Sequence, residues 1–214
     1  MWPESRLPVA VIVAHPDDET LWSGGYMLMH PDRKFAITTL CRASDPDRAP
    51  RFRRVLAHLG AAGTMGDLDD GPDQRPLEEA AVREAILSLL PQTPFQAVIT
   101  HGPQGEYTRH RRHEEVSRAV AELWRQGLIR SPRLMMFAYD DGGGKRLPEP
   151  RADAHLRMPL PIGIRRQKHD ILTGLYGFAP DSWEVRAAPR EEAFWTFESP
   201  QALERWGRER EGTG

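Results

Sequence analysis

Leu7-Pro8-Val9-Ala10-Val11-Ile12-Val13-Ala14 is a nearly continuous apolar run, and it ends on His15-Pro16-Asp17-Asp18-Glu19. A strand buried on both faces of a parallel sheet reads this way, whereas a strand with one wet face alternates. Working outward, Leu21, Trp22, Gly25, Leu28 and Met29 recur at helical spacing, and Phe35 to Leu40 predicts a second strand. Arg51 to Leu59 reads as a helix stopped by Gly60, and a further strand is expected to start near Thr64. Pro76 to Leu90 predicts a helix, Phe95 to Thr100 a strand, Arg112 to Gln126 a helix and Leu134 to Tyr139 another strand. This βαβαβαβ alternation predicts an α/β fold: a Rossmann-like open, mostly parallel sheet with helices on both faces.

From Gly142 the pattern weakens. Gly142-Gly143-Gly144 and several prolines suggest a long loop, followed by one more helix over 164–175. Trp183 to Arg186 and Ala193 to Phe197 suggest a small terminal β element, and Ser199-Pro200 is a helix-start signal. The closing Gly-Thr-Gly is expected to fray. The 214 residues, 39% of them hydrophobic, suffice for one buried core, so a single domain over 1–214 is expected, with a variable, substrate-shaping region from about residue 140.

Composition narrows the function. The net charge of −2 gives no electrostatic case for nucleic acid. Two local basic runs, Arg48 to Arg54 and Arg109 to Arg112, read either as solvated faces or as a draw for an anionic substrate. Cys41 is the only cysteine, so an intrachain disulfide is ruled out. Met1 to Arg6 lacks the pattern of a signal peptide, and no stretch approaches about 18 apolar residues. A cytoplasmic protein with no membrane span is therefore expected; a homo-oligomer stays open. No G-x-G-x-x-G follows the first strand, Gly142 to Lys145 lacks the rest of a P-loop, and no serine has a nucleophile-elbow context.

Two constellations carry chemistry. The first is Ala14-His15-Pro16-Asp17-Asp18-Glu19, directly after the first strand, where ligands of open α/β sheets sit. Imidazole and carboxylate together suit zinc or a similar divalent ion. Pro16 bars a helix through His15, so His15 and Asp18 can converge on one point while Asp17 faces elsewhere. An acidic helix start accounts equally well for Asp-Asp-Glu, but not for His15 or Pro16. The second is Gly105-Glu106-Tyr107-Thr108-Arg109-His110-Arg111-Arg112-His113, after the strand ending at Thr100. His110 and His113 fall on one side of a helix start. An exposed basic helix start is the bland alternative. Together the two supply the three ligands a catalytic zinc wants beside water. His101 reads as a support for the metal site or as purely structural, and Asp69-Asp70-Gly71 first as a turn.

These residues resemble the PIG-L, or LmbE-like, family of zinc-dependent de-N-acetylases. Its first motif, A-H-P-D-D-E after strand one, stands intact at Ala14 to Glu19, and its late H-x-x-H stands at His110 and His113. The match runs from residue 7 to about 139 and is loose beyond. The resemblance implies one Zn²⁺ held by His15, Asp18 and His113, with Asp17 as general base and His110 assisting the tetrahedral intermediate. It implies further that Asp70, Tyr107 and an arginine, Arg48 or Arg51, contact the substrate. One departure is that Thr108 and Arg109 stand between Tyr107 and His110, where many members have one residue. The implied activity is removal of an N-acetyl or N-acyl group from an N-acetylglucosamine-like small molecule by metal-activated water. The alternatives are a sugar-binding relative without chemistry and a metal-dependent hydrolase of another bond, such as a phosphoester.

Overall fold

The computed structural model of the chain describes residues 7–108 and 110–211. Met1 to Arg6, Arg109 and the closing Gly-Thr-Gly, and with them the readings made of those residues, lie outside this range.

The opening apolar run forms β1 (Val9–Val13), every residue of it buried. Three strands follow in parallel, β2 (Phe35–Thr39), β3 (Ala62–Met65) and β4 (Ala97–Thr100), joined later by β5 (Leu134–Phe137). Between them run α1 (Asp18–Leu28), α2 (Arg48–Leu59), α3 (Glu79–Leu89) and α4 (Arg111–Arg125). A two-stranded ribbon, β6 (Tyr139–Asp140) with β7 (Glu149–Pro150), follows. The sheet is completed by β8 (Leu156–Pro159) and β9 (Glu191–Phe197), and its order is β3-β2-β1-β4-β5-β9-β8. The five strands from β3 to β5 in this order are parallel; β9 and β8 add on antiparallel. The expected open, mostly parallel α/β sheet is what the chain builds.

The order decides where the site lies. From β1 the chain winds outward to β2 and β3, then returns to place β4 on the other side of β1. The β1–β4 boundary is thus a topological switch point, and segments leaving the carboxyl ends of these two strands diverge to leave a crevice. Val11 pairs with Ile37 on one side and Ile99 on the other. The histidine-bearing segments after β1 and β4 consequently start one strand spacing, about 4.8 Å, apart.

Beyond β7, α5 (Ile162–Asp170) continues without a break into a π-helical segment, Ile171–Leu175. The expected terminal β element does not form as such. Trp183 to Ala187 is a short helix, α6, capped by the Ser182 side chain accepting from the Val185 N–H. The second stretch is β9, a buried strand of the main sheet. The last helix, α7 (Pro200–Glu211), starts at the Ser199-Pro200 signal. Helices α1, α5 and α2 with the π-helical segment form one packing group, and α3 with α4 another. Gly25 marks a close approach in the first: a Cβ there would overlap the Leu160 side chain and crowd the Glu192 carboxylate.

Candidate active site

The backbone leaves β1 at Val13 and reaches Asp17 with φ 123° and ψ −31°. Such a conformation costs a non-glycine residue on the order of 1–3 kcal/mol and persists only where surroundings impose it. Asp17 occupies the N-cap position of α1, yet its side chain makes no capping bond. It turns instead to Arg48, whose Nη1 donates to Asp17 Oδ2 at 2.9 Å. The acidic-helix-start reading therefore fails for Asp17. Asp18, one residue on and 3% exposed, meets His15 and His113 instead.

One oxygen, Asp18 Oδ2, is the focus of the cluster. It lies 3.1 Å from His15 Nδ1 and 3.3 Å from His113 Nε2, and those two nitrogens are 3.3 Å apart. It also accepts from the His15 N–H at 2.9 Å. A tetrahedral zinc with bonds of about 2.0–2.1 Å spaces its ligand atoms about 3.3 Å apart. The three donors already form one face of such a tetrahedron, so the residues fit the ion the resemblance implies. His15, His110 and His113 also form a ligand-capable group, as do Asp18, His101 and His113, and His15, Cys41 and Asp70.

The next layer fixes the donors. His113 Nδ1 donates to Glu106 Oε2 at 2.6 Å, which aims Nε2 at His15 and Asp18. His101 Nδ1 donates to the same oxygen at 2.9 Å, and its Nε2 accepts from the Ala14 N–H. A carboxylate behind a histidine is the usual device for setting its tautomer at a metal. On the other side, His15 Nε2 is buried and lies 3.1 Å from Asp70 Oδ1, off the direction of a hydrogen bond. Asp70 is held by Arg42 Nε at 2.9 Å and Gln74 Nε2 at 2.8 Å.

The electrostatics separate the two adjacent aspartates. Burial lifts Asp17 well above the ordinary carboxylate range, the Asp18 charge adds to this, and Arg48 opposes it. The dipole of the helix start acts the other way, since it favours an ionised carboxylate. Burial would lift Asp18 too, but His113 and His15 outweigh it and hold Asp18 well below that range. Burial opposes the charged form of His113, yet Asp18 and Glu106 raise it to about 10. His110 goes the other way, to about 3, through burial and then the charges of His113 and His15. Two like groups driven apart in this way commonly have distinct roles.

A cavity of about 280 Å³ opens over this cluster, bordered by His15, Asp17, Asp18, Asp70, Tyr107 and His110. The His110 ring stacks on His113 at 4.2 Å and meets His15 edge-on at 4.7 Å, with Nδ1 buried and unpartnered. Tyr107 closes one side against both His110 and His113. Its loop is pinned by Thr108, whose N–H donates to Asp141 Oδ2 at 2.6 Å. Gly143 donates its N–H to the same carboxylate, so the glycine run serves Asp141 and holds no phosphate cradle.

Of the two arginines implied, Arg48 borders the cavity and Arg51 does not. Arg51 instead donates to the Tyr176 carbonyl and, at 2.8 Å, to Asp47. Arg112, in the second basic run, is 1% exposed and clamps the 69–75 loop by donating to the Asp69 and Arg75 carbonyls. The bordering residues that sequence reasoning missed are Arg42, Trp183 and Glu184. Glu106 was also missed, although it lies inside the quoted second constellation, next to its opening glycine. A larger hollow, about 350 Å³, lies between α3 and α4, lined by aliphatic side chains and surface charges and by none of these residues.

Fold and site together define an α/β protein with a metal-competent histidine–aspartate cluster at the switch point of its sheet. No family profile matches the chain, and no curated protein matches it in sequence. Solved structures do match. The N,N'-diacetylchitobiose deacetylase of Pyrococcus horikoshii superposes with a TM-score of 0.68 at 12% identity, covering 89% of this chain and 84% of that one. The A40926 pseudoaglycone deacetylase matches with 0.60 at 17%, covering 91% and 98%. A conserved protein of Thermus thermophilus matches with 0.60 at 20%, covering 88% and 94%. A teicoplanin deacetylase in its zinc-inhibited form matches with 0.62 at 14%, covering 90% and 98%. The chain shares its fold with these structures, three of which are deacetylases by name.

Proposed function

We propose that this protein is a metal-dependent amide hydrolase that removes an N-acetyl or N-acyl group from an amino-sugar-like small molecule. The observation that carries this reading is the split between neighbours: Asp18 completes a zinc-sized triangle with His15 and His113, while Asp17 borders the open cavity beside it. A structural ion needs no such spare carboxylate, which weighs against a binding protein without chemistry.

In this reading His15, Asp18 and His113 hold one Zn²⁺, which when bound supplies an acidified water and a polarised carbonyl. Asp17 takes the proton of the attacking water, and its raised affinity for protons suits a base. Arg48 keeps the Asp17 carboxylate aimed. His110 remains a neutral imidazole and donates a hydrogen bond to the developing oxyanion. The proton held on Asp17 then passes to the departing nitrogen, which leaves as the free amine; the acyl group leaves as the carboxylic acid, whose remaining proton is lost to solvent.

Trp183, 38% exposed and edge-on to Tyr107 at 4.6 Å, offers an aromatic wall for the apolar face of a sugar ring. Glu184, Asp70 and Arg42 offer partners for its hydroxyls. The segment from about 140 onward, which supplies Trp183 and Glu184, shapes this pocket. The deacetylases of shared fold act, by their names, on N,N'-diacetylchitobiose and on the A40926 pseudoaglycone, which supports an N-acetylated sugar or sugar conjugate here.

The test is release of primary amine from N-acetylglucosamine and its conjugates by zinc-loaded protein. Release that stops on chelation and returns with one equivalent of zinc is expected. A zinc-loaded chain that binds these sugars and releases no amine would establish the binding-protein reading instead.

A further inference from the structure

Glu19 is fully buried, belongs to the first motif and takes no part in the metal triangle. Its Oε2 accepts from the Asp17 N–H at 3.0 Å, and its Oε1 accepts from Thr20 and from the Tyr176 hydroxyl, each at 2.6 Å. A buried carboxylate is costly unless its oxygens are bonded, so these donors account for its presence. The bond it makes toward the site is to the backbone of Asp17, the residue held at φ 123°.

A second connection reaches the same residue from the same place. Phe178 lies under the Arg48 guanidinium, 4.8 Å from ring centre to carbon, and Arg48 donates to the Asp17 carboxylate. The end of the π-helical segment is itself tied to α2, where Arg51 and Arg54 donate to the Tyr176 and Leu175 carbonyls. Gly177, at φ +73°, sits in the left-handed region that favours glycine, and a Cβ there would push the Arg51 head group aside.

We infer that the turn from Tyr176 to Phe178 is a positioning device for Asp17, fixing its backbone through Glu19 and its carboxylate through Arg48. A π-helical segment feeding a functional site is a recurrent arrangement. The device accounts for the strained backbone: two arms from one turn hold both the Asp17 N–H and its carboxylate. Tyr176 is a positioning residue and touches no substrate. The inference rests on Asp17 being the base of the proposed reaction.

Tyr176→Phe removes one hydroxyl at nearly constant volume, and Phe178→Leu removes the aromatic face under Arg48. In each zinc-loaded variant kcat is expected to fall about ten- to a hundredfold, the scale of a misplaced catalytic group, with KM and bound zinc within about twofold of the parent. Amide hydrogen exchange, which needs no substrate, is expected to rise in Tyr176→Phe within residues 15–21 and not across the sheet. Unchanged kcat and unchanged exchange in Tyr176→Phe overturn the inference. So does a fall in kcat matched by lost zinc or by exchange rising everywhere, which marks a structural role. If Asp17→Asn itself keeps full turnover, the base assignment falls first. If Asp17→Asn is inactive while Tyr176→Phe is normal, only the positioning device falls.

Discussion

At the scale of the residue, the account rests on neighbours of one type given different tasks. Asp17→Asn is nearly isosteric but cannot accept a proton, so kcat is expected to drop about 10² to 10⁴ with the fold intact, read by steady-state kinetics. A variant with near wild-type turnover would remove Asp17 from the chemistry. His113 offers a second check. Asp18 and Glu106 keep it protonated up to about 10, so an ion arriving at neutral pH must expel a proton. Zinc binding is therefore expected to release protons and to tighten as pH rises, measured by titration calorimetry in buffers of different ionisation enthalpy. Binding with no proton release would place the ion elsewhere. Cys41 is expected to stay inert to thiol reagents in the native protein, since burial pushes its thiol up to about 12. Sequence showed the site residues that stand together after β1, because motif and strand end coincide there. It did not show Glu106 as the partner of His113, nor Arg42 behind Asp70. A lone acid or base has no periodicity, and its meaning depends on a partner brought in by the fold.

At the scale of the element, β1, β2, β4, β5 and α1 to α4 were legible to within a few residues, the strands as mostly apolar runs and the helices by their spacing; β3, largely exposed, was legible only as a start near Thr64. The region after 140 was legible only in part: the helix expected over 164–175 is α5 with its π-helical continuation, and Ser199-Pro200 does open α7. The short helix Trp183 to Ala187 is too brief for helical spacing to show, and β9 reads as a separate element until its pairing with β5 is seen. Its anchor is equally invisible in sequence. Glu192 accepts from the Gly25 and Tyr26 N–H groups and from Lys168 Nζ at 2.6 Å, all inside the protein. This ties β9 to α1 and α5. Glu192→Ala leaves a buried ammonium unpaired, and a loss of about 3–5 kcal/mol in unfolding free energy is expected by chemical denaturation. A loss under about 1 kcal/mol would show that these elements hold together without the pair.

At the scale of the whole molecule, the sheet order turns two distant clusters into one site. The parallel pairing of β1 with β4 puts His15 and His113 together although 98 residues separate them. Alternating elements in the sequence imply such a sheet but not its order, so the meeting of the clusters was an expectation that topology makes physical. Among the described residues no helix is long and apolar enough to cross a membrane. The central claim is one ion held by His15, Asp18 and His113 with Asp17 beside it and free of it. The measurement that tests this most directly is zinc stoichiometry and affinity at equilibrium for the parent, Asp17→Asn and Asp18→Ala. The account predicts one zinc per chain in the parent and in Asp17→Asn, and a loss of zinc affinity in Asp18→Ala. Zinc lost from Asp17→Asn, or retained at full affinity by Asp18→Ala, would contradict it.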